Sequence, residues 1–277
     1  MPNAAGPLRD AQARFWRNFA ASLPRRAHVL DLATGDGAVL AMLAQARPDL
    51  RFTGVDSAAA LPAAQRDIEL RPGIAMEALP FAGDGFDAVT SQFGVEYGHA
   101  PAVAGEVARV LRQGGRFAFL CHHAAGPLVG HNRERAGALA WAYRGSGWLD
   151  KAAALARARS VTDLPTPGGF ADAVADARRR YPGQIVAAEF LEAVRLTLEG
   201  GRRAPPAHVL ESLAELGRRA EGELARVDAM LKAALDEDGA RALAGALQGA
   251  GLDIAGPAPV ILPDDGRPFA WAIKGAR

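Results

Sequence analysis

The chain has almost no cysteine, no long apolar run and no excess of one charge. Its single cysteine, Cys121, excludes an internal disulfide and a metal site built from several cysteines. No apolar stretch approaches the roughly 18 residues that span a bilayer, and no basic-then-apolar leader opens the chain, so we expect a cytoplasmic protein without membrane contact. A formal net charge of +1 gives no basic field that would attract nucleic acid.

The 277 residues, 49% of them apolar, are enough for one large domain or for a domain with a substantial insertion. The central stretch is residues 28–37, which read His-Val-Leu-Asp-Leu-Ala-Thr-Gly-Asp-Gly. An apolar run, a turn with two glycines and a following Ala- and Leu-rich segment predict a strand, a tight turn and a helix whose N-terminus faces a ligand. A dinucleotide fingerprint needs glycines at 33, 35 and 38, and only Gly35 is present, so an NAD(P)-dependent oxidoreductase is disfavoured.

Predicted strands and helices alternate over the first 123 residues, which indicates a parallel α/β sheet with ligands at the carboxyl ends of its strands. The strands are predicted at 28–32, 51–56, near 74–75, 86–91 and 116–121, and the helices at 10–23, 38–46, 58–70 and 102–111. The pattern then turns helical, with a long apolar stripe over 207–235. A helix at 239–249 and strands at 252–260 and 268–273 close the chain.

Five ordered motifs resemble those of the class I S-adenosylmethionine (SAM)-dependent methyltransferases, in particular the ubiquinone/menaquinone-type and other small-molecule enzymes. Residues 31–37 are similar to the family's D-x-G-x-G-x-G motif, with Ala33 in place of the first glycine. The other matches are Gly54-Val55-Asp56-Ser57 after strand two, Glu77-Ala78-Leu79-Pro80-Phe81 as the adenine loop, the 86–91 strand, and Leu111 to Phe117 as the turn into strand five.

The resemblance implies a Rossmann-like fold with a mostly parallel seven-stranded sheet, helices on both faces and an α-helical insertion. It divides the chain into a SAM-binding core with an N-terminal helix (1–123), a helical insertion that acts as a substrate lid or a dimer interface (124–236), and a helix and strand pair that complete the sheet (237–277). It also implies SAM as cofactor, S-adenosylhomocysteine as product and a small-molecule acceptor, with a homodimer as an open alternative.

By the same resemblance, Asp56 binds both ribose hydroxyls and the glycine turn lets backbone approach the methionine tail. The acid that many relatives carry before the adenine loop is replaced here by Ala75. The predicted cofactor-binding residues are Asp31, Ala33, Thr34, Gly35, Gly37, Asp56, Ser57, Met76, Glu77, Ala78, Ser91, Phe93 and Trp16.

Methyl transfer from SAM needs a base only where the acceptor loses a proton as it attacks. Histidine suits that role, and His122 and His123 directly follow the predicted fifth strand. The catalytic candidates are His122, His123, His99 and Tyr97, with Glu96 beside them, and no metal cluster stands out.

Three questions stay open at this level. The acceptor atom is oxygen, nitrogen or carbon. The chain is an enzyme or a non-catalytic SAM- or ligand-binding protein on the same fold. RNA or protein is an alternative acceptor, because pairs and triplets of arginine occur at 178–180, 202–203 and 218–219, although acidic neighbours favour solvated helix faces.

Overall fold

A computed structural model of the chain describes residues 6–63, 67–262 and 266–277. The chain divides into two compact units. The first, here the sheet unit, comprises Met1–Val129 and Ala233–Arg277, and the second, here the helical unit, comprises Gly130–Lys232. No helix among the described residues is long and apolar enough to cross a bilayer.

The sheet unit carries seven strands in the described part of the chain, in the order β3-β2-β1-β4-β5-β7-β6. Strands β1 to β5 are parallel, and β7 runs antiparallel to both of its neighbours, β5 and the edge strand β6. This confirms the predicted fold class. The strands are β1 His28–Leu32, β2 Arg51–Val55, β3 Ile68–Arg71, β4 Phe86–Gln92, β5 Leu111–His122, β6 Asp253–Ile261 and β7 Pro268–Ala276.

Helices cover both faces of the sheet, so its central strands are buried on both sides. They are α1 Pro7–Ala21, α2 Ala38–Ala46, α3 Ala100–Val110 and α9 Glu237–Gly249. On one face Val29 of β1 packs with Trp16 of α1 and Leu40 of α2. On the other face Leu30, the next residue of β1, packs with Val107 of α3. This alternation follows from the pleat of the strand.

The prediction for the stretch between β2 and β4 was wrong in part. A helix was expected over 58–70 and a strand near 74–75, but the third strand is Ile68–Arg71, paired with β2. Residues 58–63 are not helical, and residues 64–66 lie outside the described residues. Backbone pairing along β2 outweighs the helix propensity of the alanines, which is a weak preference. Ile74 lies in a loop, where its N–H donates to the Asp56 carbonyl.

The helical unit has an apolar core of its own, which includes Leu139, Val174, Leu191 and Leu213. Its elements are α4 Pro127–Ala140, which begins just before the unit, a π-helical turn at Trp141–Gly145, α5 Trp148–Ala158, α6 Gly169–Arg180, α7 Val186–Gly200 and α8 Pro206–Ala233. The 28-residue α8 corresponds to the apolar stripe in the sequence.

Candidate cofactor and active site

The turn between β1 and α2 has a strained, left-handed backbone. Gly35 and Gly37 have φ values of 56° and 77°, which glycine adopts without strain. Ala33 has a φ of 53°, a conformation that is unfavourable for a residue with a Cβ. Its methyl group also prevents a side chain at position 94, because a Cβ added to Gly94 would lie 2.5 Å from the Ala33 Cβ. The turn is therefore tightly packed on its inner side.

We predict that Ala33→Gly raises the free energy of unfolding by up to about 1 kcal/mol. The substitution removes the left-handed strain, while the greater freedom of the unfolded chain offsets part of the gain. Urea unfolding measures the change. Ala38→Gly, at the first residue of α2, is the control and should lower stability. An Ala33→Gly protein no more stable than the native chain would mean that Ala33 carries no net strain.

Asp56 directly follows β2. Its carboxylate links the glycine turn after β1 to the turn that follows β2. Its Oδ2 accepts the Gly35 N–H at 2.9 Å, and its Oδ1 accepts the Ala58 N–H at 2.9 Å. The parallel register of β1 and β2 places Asp31 opposite Gly54, so the two turns lie side by side at the carboxyl edge of the sheet. Each carboxylate oxygen can accept more than one hydrogen bond, so Asp56 retains capacity for a ligand diol.

A slot of about 150 Å³ lies between the glycine turn and the loop after β3. Its walls combine small and apolar side chains with a few polar groups, the composition expected of a small-ligand site. The lining residues are Ala33, Ser57, Ile74, Ala75, Met76, Glu77, Tyr97 and Gly98. A Cβ at Gly98 would lie 2.7 Å from Val103 Cγ2 and 2.9 Å from Glu77 Oε1, so a side chain at this wall would displace its neighbours. Ala78 lies next in the same loop.

The adenine-loop motif is held by an ion pair that sequence reasoning missed. Glu106 on α3 accepts the Leu79 N–H at 2.6 Å and pairs with Arg109 at 2.7 Å. The Arg109 guanidinium donates to the Leu79 and Phe81 carbonyls. The sequence signal for this ion pair was the Glu-x-x-Arg spacing on a predicted helix, since residues three apart lie on one helix face.

Asp31 is buried beneath the turn. It is 1% exposed, and the Thr90 hydroxyl donates to its Oδ1 at 2.7 Å. Burial, with a further contribution from the charge of Asp56, raises the pKa of Asp31 to about 7. Thr34 also faces this carboxylate without the alignment of a hydrogen bond, so its buried hydroxyl is without a partner among the described residues. An acid and an orphaned hydroxyl beneath a tight turn fit a polar, cationic ligand group such as the ammonium of SAM.

Two predicted cofactor residues support the sheet instead of lining the slot. Ser91 is buried and donates to the Leu32 carbonyl at 2.8 Å, which ties β4 to β1. Trp16 is fully buried in α1, and its indole N–H donates to Gln92 Oε1 at 2.7 Å. Their predicted contacts with SAM stay predictions.

A second group of side chains lies where β4 and β5 end. Glu96, on the short 3-10 turn Val95–Tyr97, accepts from His122 Nδ1 at 2.8 Å. The Phe93 ring stacks on the His122 ring with centroids 4.3 Å apart, and the Tyr97 ring meets it edge-on at 6.2 Å. Tyr97 also lines the slot, so this group, here called the histidine cluster (Phe93, Glu96, Tyr97, His122), adjoins the slot.

The other two candidate histidines lie outside this cluster. His123 stacks on Trp271, and its Nδ1 accepts the Ala125 N–H at 3.2 Å. Burial lowers the pKa of His123, so this ring is neutral at physiological pH. His99 is exposed at the start of α3, and its backbone N–H donates to Glu77. The structure therefore brings together only His122 and Tyr97 of the four predicted catalytic residues.

Comparison with known proteins finds a methyltransferase domain in part of the chain. Residues 29–115 match the family described as a methyltransferase domain. Two demethylmenaquinone methyltransferases are 38% identical to stretches of the chain. The one from Thermus thermophilus matches over 119 residues, 38% of this chain and 53% of that protein. The one from Thermotoga maritima matches over 96 residues, 33% of this chain and 42% of that protein. The matches thus span about half the length of these relatives.

Among solved structures, a putative methyltransferase in complex with the Haloferax volcanii Trm112 methyltransferase activator aligns with 99% of this chain and 94% of its own, at 15% identity and a TM-score of 0.46. The glycine turn, the acid after β2 and the residues that line the slot all lie within the matched residues. This part of the chain is therefore similar to a methyltransferase domain.

Proposed function

We propose that the chain transfers the methyl group of SAM to an oxygen, nitrogen or carbon atom of a small-molecule acceptor and releases S-adenosylhomocysteine. The observation that carries this proposal is the adjacency of the slot to the histidine cluster through Tyr97. A cofactor site beside a histidine–carboxylate pair suits methylation of an acceptor that loses a proton as it attacks.

In this proposal Asp56 accepts the ribose hydroxyls, and Ile74 and Met76 contact the adenine. Gly35 and Gly37 allow the methionine tail to approach the backbone, and Asp31 pairs with its ammonium group, directly or through water. Bound SAM supplies a methyl carbon already activated toward in-line displacement. The protein therefore contributes mainly alignment and exclusion of water.

On the acceptor side, we assign the general base to His122. Its Nδ1 is engaged by Glu96, so Nε2 is the ring atom left to take a proton. A base serves acceptors that lose a proton as they attack, such as hydroxyls and acidic carbons. The names of the two relatives give demethylmenaquinone as their acceptor, so this is the first acceptor to test.

The arginine-rich stretches support a small acceptor over RNA. Arg218 pairs with Glu211 and Glu215, and Arg202 pairs with Asp163. Arginines already paired with carboxylates are poor phosphate binders, because the ligand must compete with the existing ion pair. RNA or protein thus remains the weaker alternative.

The helical unit is proposed to select the acceptor, as a lid or, alternatively, to form a dimer interface. Sedimentation velocity separates the two roles. A monomer at micromolar concentration would favour the lid, whereas a stable dimer would favour the dimer interface.

Calorimetric titration with SAM, S-adenosylhomocysteine and NADH tests the cofactor assignment. SAM and its product should each bind at one site per chain, and NADH should not bind. A panel of small hydroxylated and quinol acceptors with SAM should then yield methylated product and S-adenosylhomocysteine, both read by mass spectrometry. Tight SAM binding without turnover on any acceptor would favour the non-catalytic alternative, and NADH binding in place of SAM would overturn the proposal.

A further inference from the structure

One oxygen atom of the Glu96 carboxylate accepts two hydrogen bonds from His122. Its Oε1 accepts the backbone N–H of His122 at 2.8 Å and the ring Nδ1 at 2.8 Å. The Glu96 side chain has no exposed surface, and that of His122 is 10% exposed. A carboxylate accepts in both contacts, so the ring proton lies on Nδ1. The imidazole is therefore fixed relative to its own backbone as one tautomer.

Phe93 fixes the plane of the same ring from one side. The two rings are 27° from parallel with centroids 4.3 Å apart. Phe93 has a φ of 58°, a left-handed conformation that is rare for a bulky residue, and its N–H donates to the Leu120 carbonyl. Strain of this kind persists where the surroundings demand it, and it concentrates at functional sites. Here the strained backbone presents the Phe93 ring to His122.

Packing gives no sufficient reason for a carboxylate at position 96. Its second oxygen, Oε2, is buried and has no hydrogen-bond partner in the described part of the chain. The nearby Cys121 is a neutral thiol, because burial, the Glu96 charge and a hydrogen-bonding contact with the Glu96 side chain raise its pKa well above the usual value. A thiol is only a weak donor, so this contact satisfies the carboxylate poorly. A buried carboxylate with an unpaired oxygen destabilises a fold unless its charge is used. The residue that can carry a positive charge beside the Glu96 carboxylate is His122.

We propose that Glu96 is a positioning residue that keeps His122 in the Nδ1–H tautomer and stabilises the imidazolium formed during methyl transfer. The proposal rests on the proposed function. The acceptor's proton goes to His122 Nε2 while the acceptor atom bonds to the methyl carbon and the electron pair of the S–C bond goes to sulfur. Glu96 then faces a positive ring at Nδ1. This is the role that a buried acid performs beside histidine in hydrolytic triads.

Two substitutions of Glu96 separate its effect on the orientation of the His122 ring from the effect of its negative charge. Glu96→Gln retains a carbonyl oxygen that can accept both N–H groups but has no charge, whereas Glu96→Leu removes the acceptor. Nitrogen-15 NMR of histidine-labelled protein reads the tautomer of His122 directly, without any acceptor. His122→Gln assigns the signal.

We expect the Nδ1–H tautomer in the native protein and in Glu96→Gln, and a shift toward the Nε2–H tautomer in Glu96→Leu. With an acceptor in hand, both variants should lose about 10²- to 10⁴-fold in kcat, the range typical of general-base catalysis, with unchanged SAM affinity. Glu69→Gln, on β3 away from the cluster, is the matched control and should change neither reading.

Three results would overturn the assignment of Glu96: an Nε2–H tautomer in the native protein, no change of tautomer in Glu96→Leu, or an unchanged kcat in Glu96→Gln. Failure of the native protein to bind SAM would instead overturn the proposed function. Because the tautomer is read independently of SAM, the two failures are distinguishable.

Discussion

Replacing Asp56 by alanine should weaken SAM binding by about 10²- to 10⁴-fold. In the proposed site the substitution removes two charge-assisted hydrogen bonds to the ribose diol, each worth about 1.5–3 kcal/mol. In the native protein the Gly35 N–H donates to Asp56 Oδ2 at 2.9 Å. The substitution removes this hydrogen bond, which links the glycine turn to the end of β2. Calorimetric titration of native and variant protein with SAM gives the ratio of the two dissociation constants.

Asp36→Ala is the matched control for this experiment. Asp36 is an exposed acid in the same turn, and within the described residues its one hydrogen bond is from the Ala38 N–H, at 3.1 Å. Its loss should change SAM affinity less than about 3-fold, because an exposed acid contributes little. Equal effects of the two substitutions would show that the turn responds to any lost acid, and the assignment of the ribose to Asp56 would fail.

The sequence predicted the elements whose pattern is local. β1 at His28–Leu32 and α2 at Ala38–Ala46 agree with the prediction, because an apolar run, a glycine turn and Pro48 mark their ends without reference to the rest of the chain. The position of Asp56 at the end of β2 was predictable for the same reason. The β3 strand was missed because its partner, β2, decides its structure.

The histidine cluster could be predicted only in part. Two adjacent histidines after β5 were visible in the sequence, and nothing local distinguished His122 from His123. Alternation along the strand turns them to different neighbours, so His122 meets Glu96 and His123 meets Trp271. The pairing of Glu96 with His122 joins residues 26 positions apart, and it depends on the end of β4 lying beside the end of β5.

Asp31→Asn should make the free protein more stable at pH 8, by up to about 4 kcal/mol. The pKa of Asp31 is raised from 3.8 to about 7 by burial, so the folded state holds a proton that the unfolded state has already lost. Stability contributed by the protonated form is present in full below pH 4 and is lost as the pH rises to about 7. The Asn side chain does not titrate and still accepts from Thr90.

Urea unfolding of both proteins from pH 5 to pH 8.5 measures this effect. The stability difference should widen with rising pH and level off above about pH 7, where Asp31 is ionised in both states. A difference independent of pH would mean that Asp31 is ionised throughout the range.

A buried acid that weakens the free protein at neutral pH is retained only if its charge is used when a ligand binds. The ammonium group of SAM would offset the desolvation of the ionised Asp31 carboxylate, since a nearby opposite charge favours the charged form. SAM affinity of the native protein should therefore rise with pH and level off above about 7. The Asp31→Asn protein should bind SAM at least 10-fold more weakly at pH 8, with no such rise. Retained affinity in that variant would limit Asp31 to shaping the turn, and the methionine tail would then depend on the backbone of Gly35 and Gly37.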